Sequence, residues 1–216
     1  MLVAKNIHKK YGELEILKGI DITINKKEIA CIVGASGAGK TTLLQILGTL
    51  DQPDIGTLEL NGEDILGLEK KKLAQFRNQK LGFIFQFHQL LPEFTAVENV
   101  ILPALIGGVS KTEAIKKADE LLDFLGMGHR LEHKPSELSG GEQQRIAVAR
   151  ALINSPEIIF ADEPSGNLDS KNSDELHELF FRLKDEFDQT FVIVTHNNSL
   201  AEMADVKYEM KDGKII

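Results

Sequence analysis

Residues 28–41 read EIACIVGASGAGKT. After Glu28 the run Ile29–Val33 is apolar throughout, then a glycine breaks it and a Gly/Ala/Ser segment leads to Lys40 and Thr41. An unbroken apolar run ending in glycine suits a strand buried on both faces of a parallel sheet. The spacing predicts a helix from Lys40 to about Leu50. Gly34-Ala35-Ser36-Gly37-Ala38-Gly39-Lys40-Thr41 completes the phosphate-loop pattern in that strand–loop–helix context. The glycines let backbone N–H groups turn toward phosphates, and the helix N-terminus adds partial positive charge. Lys40 reaches the β- and γ-phosphates, and the Thr41 hydroxyl suits Mg²⁺.

Working outward, LVAKNI and ILKGIDITI read as strands before this unit, and TLELNGED after it as a strand with a tight Asn-Gly turn. KKKLAQFRNQK is helical and LGFIF is a strand. From about 87 to 154 the pattern is helical, with capping-box spacing in TAVE (95–98) and SKTE (110–113). Strands and helices alternate again from Pro156: EIIFAD, a helix over Lys171 to Phe187, TFVIVT, and a closing hairpin VKYEM–KDG–KII. This order predicts an α/β chain with a mostly parallel central sheet, a β-rich start and an inserted helical lobe.

Length and composition bound the rest. The chain has 216 residues, 42% hydrophobic and 27% charged, which fits one domain with a packed core. A net charge of −8 argues against a broad basic face for nucleic acid. A single cysteine, Cys31, excludes an intramolecular disulfide. The N-terminus alternates and carries charge, unlike a secretory signal. The longest apolar stretch, VILPALIGGV (100–109), is far short of the ~20 residues that span a bilayer. A soluble chain is expected, one able to serve a membrane protein.

Further candidate residues end the other strands. Asp162 and Glu163 close IIFADE; Asp162 suits Mg²⁺, and Glu163 is placed to polarise an attacking water as general base. His196 follows FVIVT, and Gln86, after LGFIF, can offer its amide oxygen to Mg²⁺ or its NH₂ to water. LSGGEQQR (138–145) opens a helix, with Ser139 and Glu142 at capping-box spacing. One nucleotide needs one cradle. This second glycine-rich helix start is either an ordinary capped helix or serves a nucleotide held elsewhere. FHQLLPEF (87–94), where the sheet hands over to the helical lobe, gathers Phe87, Leu90, Leu91 and Phe94. Those side chains either pack the lobe or receive a partner helix.

Taken in order, GASGAGKT, Gln86, LSGGEQQR, IIFADE, SGNLD and His196 resemble the motif set of ATP-binding cassette (ABC) transporter ATP-binding subunits, over nearly the whole chain. The resemblance implies the ABC ATPase fold: a P-loop NTPase (RecA-like) core with an N-terminal antiparallel β subdomain and an inserted helical subdomain. Residues 1–216 would form a single domain, with 1–86 and 155–216 as core and 87–154 as helical lobe. It implies ATP hydrolysis with Mg²⁺, with Glu163, His196 and Lys40 in catalysis. ATP would be held by Tyr11, Gly34 through Thr41, Thr42 and Gln86. Thr41, Gln86 and Asp162 would hold the metal. Tyr11 would stack on adenine, although an aromatic there could equally be core.

Two copies would pair head to tail, with Ser139, Gly140, Gly141 and Glu142 of one copy closing the site of the other and Asp169 linking the two sites. Integral membrane subunits would be the other partners, no nucleic acid would be involved, and the chain would sit on the cytoplasmic face of the inner membrane. FHQLLPEFTAVENVILPALI and ADEPSGNLD resemble the branch containing lipoprotein-releasing, macrolide-exporter and cell-division ATPases, with LLPEFTAVENV leaning to the first. Ser165, where that branch usually has Thr, and Gln143 depart from the pattern. Alternatives are a cell-division-type signalling ATPase and a soluble ABC ATPase outside transport.

Overall fold

The computed structural model describes residues 1–216. In chain order the elements are β1 (Leu2–Tyr11), β2 (Leu14–Ile24), β3 (Ile29–Gly34), α1 (Lys40–Leu47), β4 (Ile55–Leu60), β5 (Glu63–Asp64), α2 (Lys70–Lys80), β6 (Leu81–Phe85), α3 (Ala96–Ile106), α4 (Lys111–Phe124), α5 (Gly140–Leu152), β7 (Ile158–Asp162), α6 (Ser170–Phe187), β8 (Thr190–Val194), α7 (Asn198–Met203), β9 (Val206–Lys211) and β10 (Lys214–Ile215). Two compact units result, one of Met1–Arg77 with Phe181–Ile216, the other of Asn78–Phe180. No helix is long and apolar enough to cross a membrane.

In the first unit, local turn chemistry sets the hairpins. Asn61 and Gly62 have φ of 52° and 83°, Asp212 and Gly213 50° and 81°. Two positive φ values in a two-residue loop match the right-handed strand twist, so β4–β5 and β9–β10 close at Leu60↔Glu63 and Lys211↔Lys214. The antiparallel sheet runs β2-β1-β4-β5. β1 continues to Tyr11, well past the expected LVAKNI, because its polar second half from His8 to Tyr11 stays paired with β2, with β4 joining at His8. Lys9 is buried there, yet its ammonium is satisfied by Asp51 Oδ1 (2.8 Å) and the Gln52 carbonyl (2.7 Å).

β3 lies between β8 and β9 and is parallel to both. Ile29 to Val33 are buried, as the apolar run requires. Ile32 faces Val194, so β3 and β8 end at the same edge. Cys31 is fully buried, and burial pushes its thiol up to about 12, which leaves it inert. α1 stops at Leu47 rather than Leu50: Gly48 caps it, and Thr49 turns left-handed (φ 61°) with its hydroxyl and carbonyl held by Arg77 at 3.0 and 2.5 Å. The short α7 adds one helical segment to the expected order; Asn197 caps it by accepting from Leu200 N.

The second unit contains the helical stretch expected over 87–154 together with β6 and β7, a parallel pair in register from Leu81↔Ile158 to Phe85↔Asp162. Thr95 and Glu98 make the full capping box of α3. At α4, Ser110 accepts from Glu113 N, while the Glu113 carboxylate faces Lys117 at 3.7 Å. α5 supplies the packed centre through Ile146, Ala147, Val148 and Ala149, all fully buried. Buried Asn99 staples the entry to α3: it accepts from Leu91 N and donates to the carbonyls of Leu91, Phe94 and Thr95.

Candidate active site

The loop after β3 can exist only with glycine at its two ends. At Gly34 (φ 151°) an added Cβ would run into the Met210 carbonyl, and at Gly39 (φ 98°) it would lie 2.9 Å from Leu17 Cδ2. Gly37 (φ 79°) has open space around it, so conformation alone selects glycine there. Ala38 is buried as a peg, while Ala35, Ser36 and Gly37 face solvent. Lys40 Nζ folds back onto the loop and donates to the carbonyls of Gly34 (2.9 Å) and Ala35 (3.0 Å). Those bonds hold the ammonium over the loop, the place an anion would occupy. Thr41, exposed, and Thr42 follow in the first turn of α1.

Tyr11 is not core: half its surface is exposed. Its hydroxyl donates to Asp51 Oδ2 at 2.7 Å and is also bonded to Thr42, which ties the ring to the start of α1. Lys9 Nζ sits 5.1 Å from the ring centroid. Desolvation opposes charge on Asp51, but the hydrogen bonds from Lys9 and Tyr11 outweigh it and hold the carboxyl below its usual range. The bond to Asp51 in turn raises the Tyr11 phenol and the Lys9 ammonium. The ring is a fixed, exposed platform, and Asp51, unremarked in the sequence, fixes it. His196 lies exposed two residues past β8, at the edge where β3 delivers the phosphate loop.

In the second unit the register Phe85↔Asp162 sets Gln86 and Glu163 one residue beyond the paired strand ends. Asp162 closes β7 and is partly exposed. Glu163 is left-handed (φ 47°), a conformation that costs a non-glycine residue about 1–3 kcal/mol. Its carbonyl accepts from Gly166 N at 3.0 Å, closing a turn. Gln86 Nε2 donates to Asn167 Oδ1, and Asn167 Nδ2 donates to the Gln86 carbonyl, both at 3.1 Å. A Cβ on Gly166 would lie 2.9 Å from Gln86 Nε2. So the structure joins Gln86 to the loop after Glu163, through an asparagine that carries no motif signal of its own.

The signature segment is a fully capped helix start. Ser139 Oγ accepts from Glu142 N, and Glu142 Oε2 accepts from Ser139 N. Arg130 donates to Glu142 Oε1 at 2.8 Å. The bond from Ser139 N, ahead of burial and with Arg130 assisting, holds the Glu142 carboxyl low. The capped-helix reading holds, and the capping leaves Ser139 and Gly140 exposed at the positive end of α5. Gly141 is buried, and a Cβ there would lie 2.5 Å from Asn172 Oδ1. Asp169 sets that neighbour: its carboxylate accepts from Asn172 N (2.9 Å) and Nδ2 (2.7 Å), capping α6. These two bonds, the backbone one first, hold the exposed Asp169 carboxyl below its usual range.

A phosphate cradle, an exposed aromatic platform beside it and a glycine-rich helix start define a nucleotide-handling chain, and the sequence profile described as "ABC transporter" matches residues 17–166, more than half of its length. The chain belongs to the ABC transporter family. Proteins called lipoprotein-releasing system ATP-binding protein LolD are similar along their whole length. The one from Porphyromonas gingivalis is 62% identical over 213 residues, covering 99% of this chain and 97% of that protein. The one from Bacteroides fragilis is 58% identical over 216 residues, covering all of both. Among solved structures, the dimeric post-hydrolysis state of the ATP-binding cassette MJ0796 bound to ADP and Pi superposes with a TM-score of 0.90 at 38% identity, covering 100% of this chain and 96% of that one. As a member of the ABC family the chain has the ABC ATPase fold and is an ATP-binding, ATP-hydrolysing subunit.

Proposed function

We propose that this chain is the ATPase subunit of a lipoprotein-releasing system, working as a pair of copies on separate membrane subunits at the cytoplasmic face of the inner membrane. The observation that carries this is the end-to-end identity with relatives of that name. Residues 1–216 act as one catalytic domain, with 1–86 and 155–216 as core and 87–154 as helical lobe. Gly34 to Thr42 cradle the phosphates, and Tyr11 stacks on adenine. Lys40 and His196 stabilise charge on the transferring group, and Glu163 takes the proton of the attacking water. Ser139, Gly140, Gly141 and Glu142 close the partner copy's site, and Asp169 joins the two sites.

Thr41, Gln86 and Asp162 offer a hydroxyl, an amide oxygen and one carboxylate. That hard, oxygen-only donor set suits Mg²⁺, which keeps waters and nucleotide phosphates as its other ligands. Thr41, Gln86 and Asp162 would hold the ion, which would supply neutralisation of phosphate charge. The protein's own part is the field of loop amides, Lys40 and helix N-termini, which favours ATP despite a net charge of −8.

The membrane subunits dock on the stretch after Gln86. Phe87, Leu91 and Phe94 are exposed (74, 40 and 36%) although large and apolar. Arg150 supports them from behind by donating to the carbonyls of His88 (2.7 Å) and Gln89 (2.6 Å), both left-handed residues. Leu90 is only partly exposed, so the test replaces the more exposed Phe87 and Leu91 with Ser, which leaves the melting temperature within about 3 °C and soluble ATP binding intact. Co-purification with the membrane subunits from detergent-solubilised membranes is lost. A large drop in stability instead would make these residues core, and retained co-purification would move the docking surface elsewhere.

A further inference from the structure

The loop from Glu163 to Asp169 carries a backbone strain that something must hold. Its anchors include the turn from Gly166 N to the Glu163 carbonyl, that from Leu168 N to the Ser165 carbonyl (3.1 Å), the exposed pairing of Asn167 with Gln86, and the exposed cap of Asp169 on Asn172. Exposed hydrogen bonds exchange with water and hold little. One further anchor is buried. Ser165, 8% exposed, has its hydroxyl 3.1 Å from Nε2 of His177, a side chain of α6 that is 2% exposed. The Ser173 hydroxyl lies 3.4 Å from the same nitrogen.

A left-handed non-glycine residue persists only where its surroundings over-determine it. Ser165 is two residues from Glu163, and its hydroxyl ties that turn into the protein interior. Burial lowers the His177 pKa below 6.5, against a smaller opposing effect of Asp174, so the ring is neutral at pH 7 and able to accept from a hydroxyl. Ser165 thus meets a histidine of α6.

We propose that His177, through the Ser165 hydroxyl, is a positioning residue that holds Glu163 in its strained, working conformation. This rests on Glu163 being the general base. His177 touches neither nucleotide nor water; it acts by fixing the turn, and misplacing a catalytic group by about 1 Å can cost on the order of 100-fold. ATP binding, which the phosphate loop provides, is untouched.

The test is steady-state ATP hydrolysis by the full chain with Mg²⁺, comparing Ser165→Ala, Ser165→Thr, His177→Leu, the Ser165→Ala/His177→Leu pair and Glu163→Gln. The expected result is a kcat about tenfold lower for Ser165→Ala and for His177→Leu, with KM for ATP within about twofold. Ser165→Thr keeps the hydroxyl and stays within about twofold of the wild type. The pair falls no further than the worse single variant, because both changes break one contact. Unchanged kcat in Ser165→Ala, a loss confined to KM, failure of Thr to preserve activity, or additive losses in the pair would each overturn the proposal. If His177→Leu does not fold, Ser165→Ala against Ser165→Thr decides alone. Glu163→Gln separates the two levels: wild-type turnover there sinks the general-base reading, whereas a large loss there with an unaffected Ser165→Ala sinks only the role of His177.

Discussion

Glu163→Gln keeps ATP binding and loses about 10²–10⁴-fold in turnover, the range for removing a general base. That is about 3–5 kcal/mol of transition-state stabilisation. The structure sharpens the expectation. Gln has the same length and the same backbone demands as Glu, so the left-handed turn at 163 and its bond from Gly166 survive. A fall in kcat then reports lost proton transfer, and the melting temperature stays put. Uncleaved ATP also holds two copies together long enough to elute as a dimer in size exclusion. Turnover near the wild-type rate would remove Glu163 from this role.

The second large effect comes from mixing two inactive chains, Lys40→Ala and Gly140→Asp. Lys40→Ala removes the ammonium that Gly34 and Ala35 now hold over the loop. Gly140 is exposed, and a Cβ there meets only Leu168 Cδ2 at 3.7 Å, so Asp is accepted by its own chain. In the proposed head-to-tail pair it would nevertheless place a carboxylate where the partner copy's γ-phosphate approaches. Gly141 would be the wrong choice, since its substitution collides with Asn172 inside the same chain. In the mixture one composite site is intact, with the loop from the Gly140→Asp chain and the signature from the Lys40→Ala chain. ATP-dependent dimers therefore form in the mixture and not with either chain alone, by analytical ultracentrifugation. Equal dimerisation by each chain alone contradicts a signature that works in trans.

The parts of this molecule that were legible in its sequence are those whose physics is local. A phosphate loop is eight consecutive residues, an Asn-Gly hairpin two, and a capping box four, and each folded as its chemistry requires. The helical stretch after Gln86 was legible too, because period and caps repeat along it. What stayed hidden pairs residues far apart in the chain. Tyr11 and Asp51 are separated by 40 positions and Gln86 and Asn167 by 81, and nothing local links them. Whether Tyr11 was core or platform turned on its exposure, which no residue near it encodes. The polar half of β1 stayed hidden because its pairing with β2 outweighs its poor strand composition. The left-handed Glu163 could not be read from a residue type that ordinarily avoids that conformation.

The account stands or falls on coupling between this ATPase and lipid-anchored cargo. The direct measurement is release of a fluorescent triacylated lipoprotein from proteoliposomes that hold the membrane subunits and this chain, with ATP and Mg²⁺ outside and a soluble acceptor for the lipid chains. The account predicts ATP-dependent release that stops with Glu163→Gln. Release at the same rate without ATP or with Glu163→Gln, or ATP hydrolysis in the assembled complex with no lipoprotein leaving the bilayer, would contradict it.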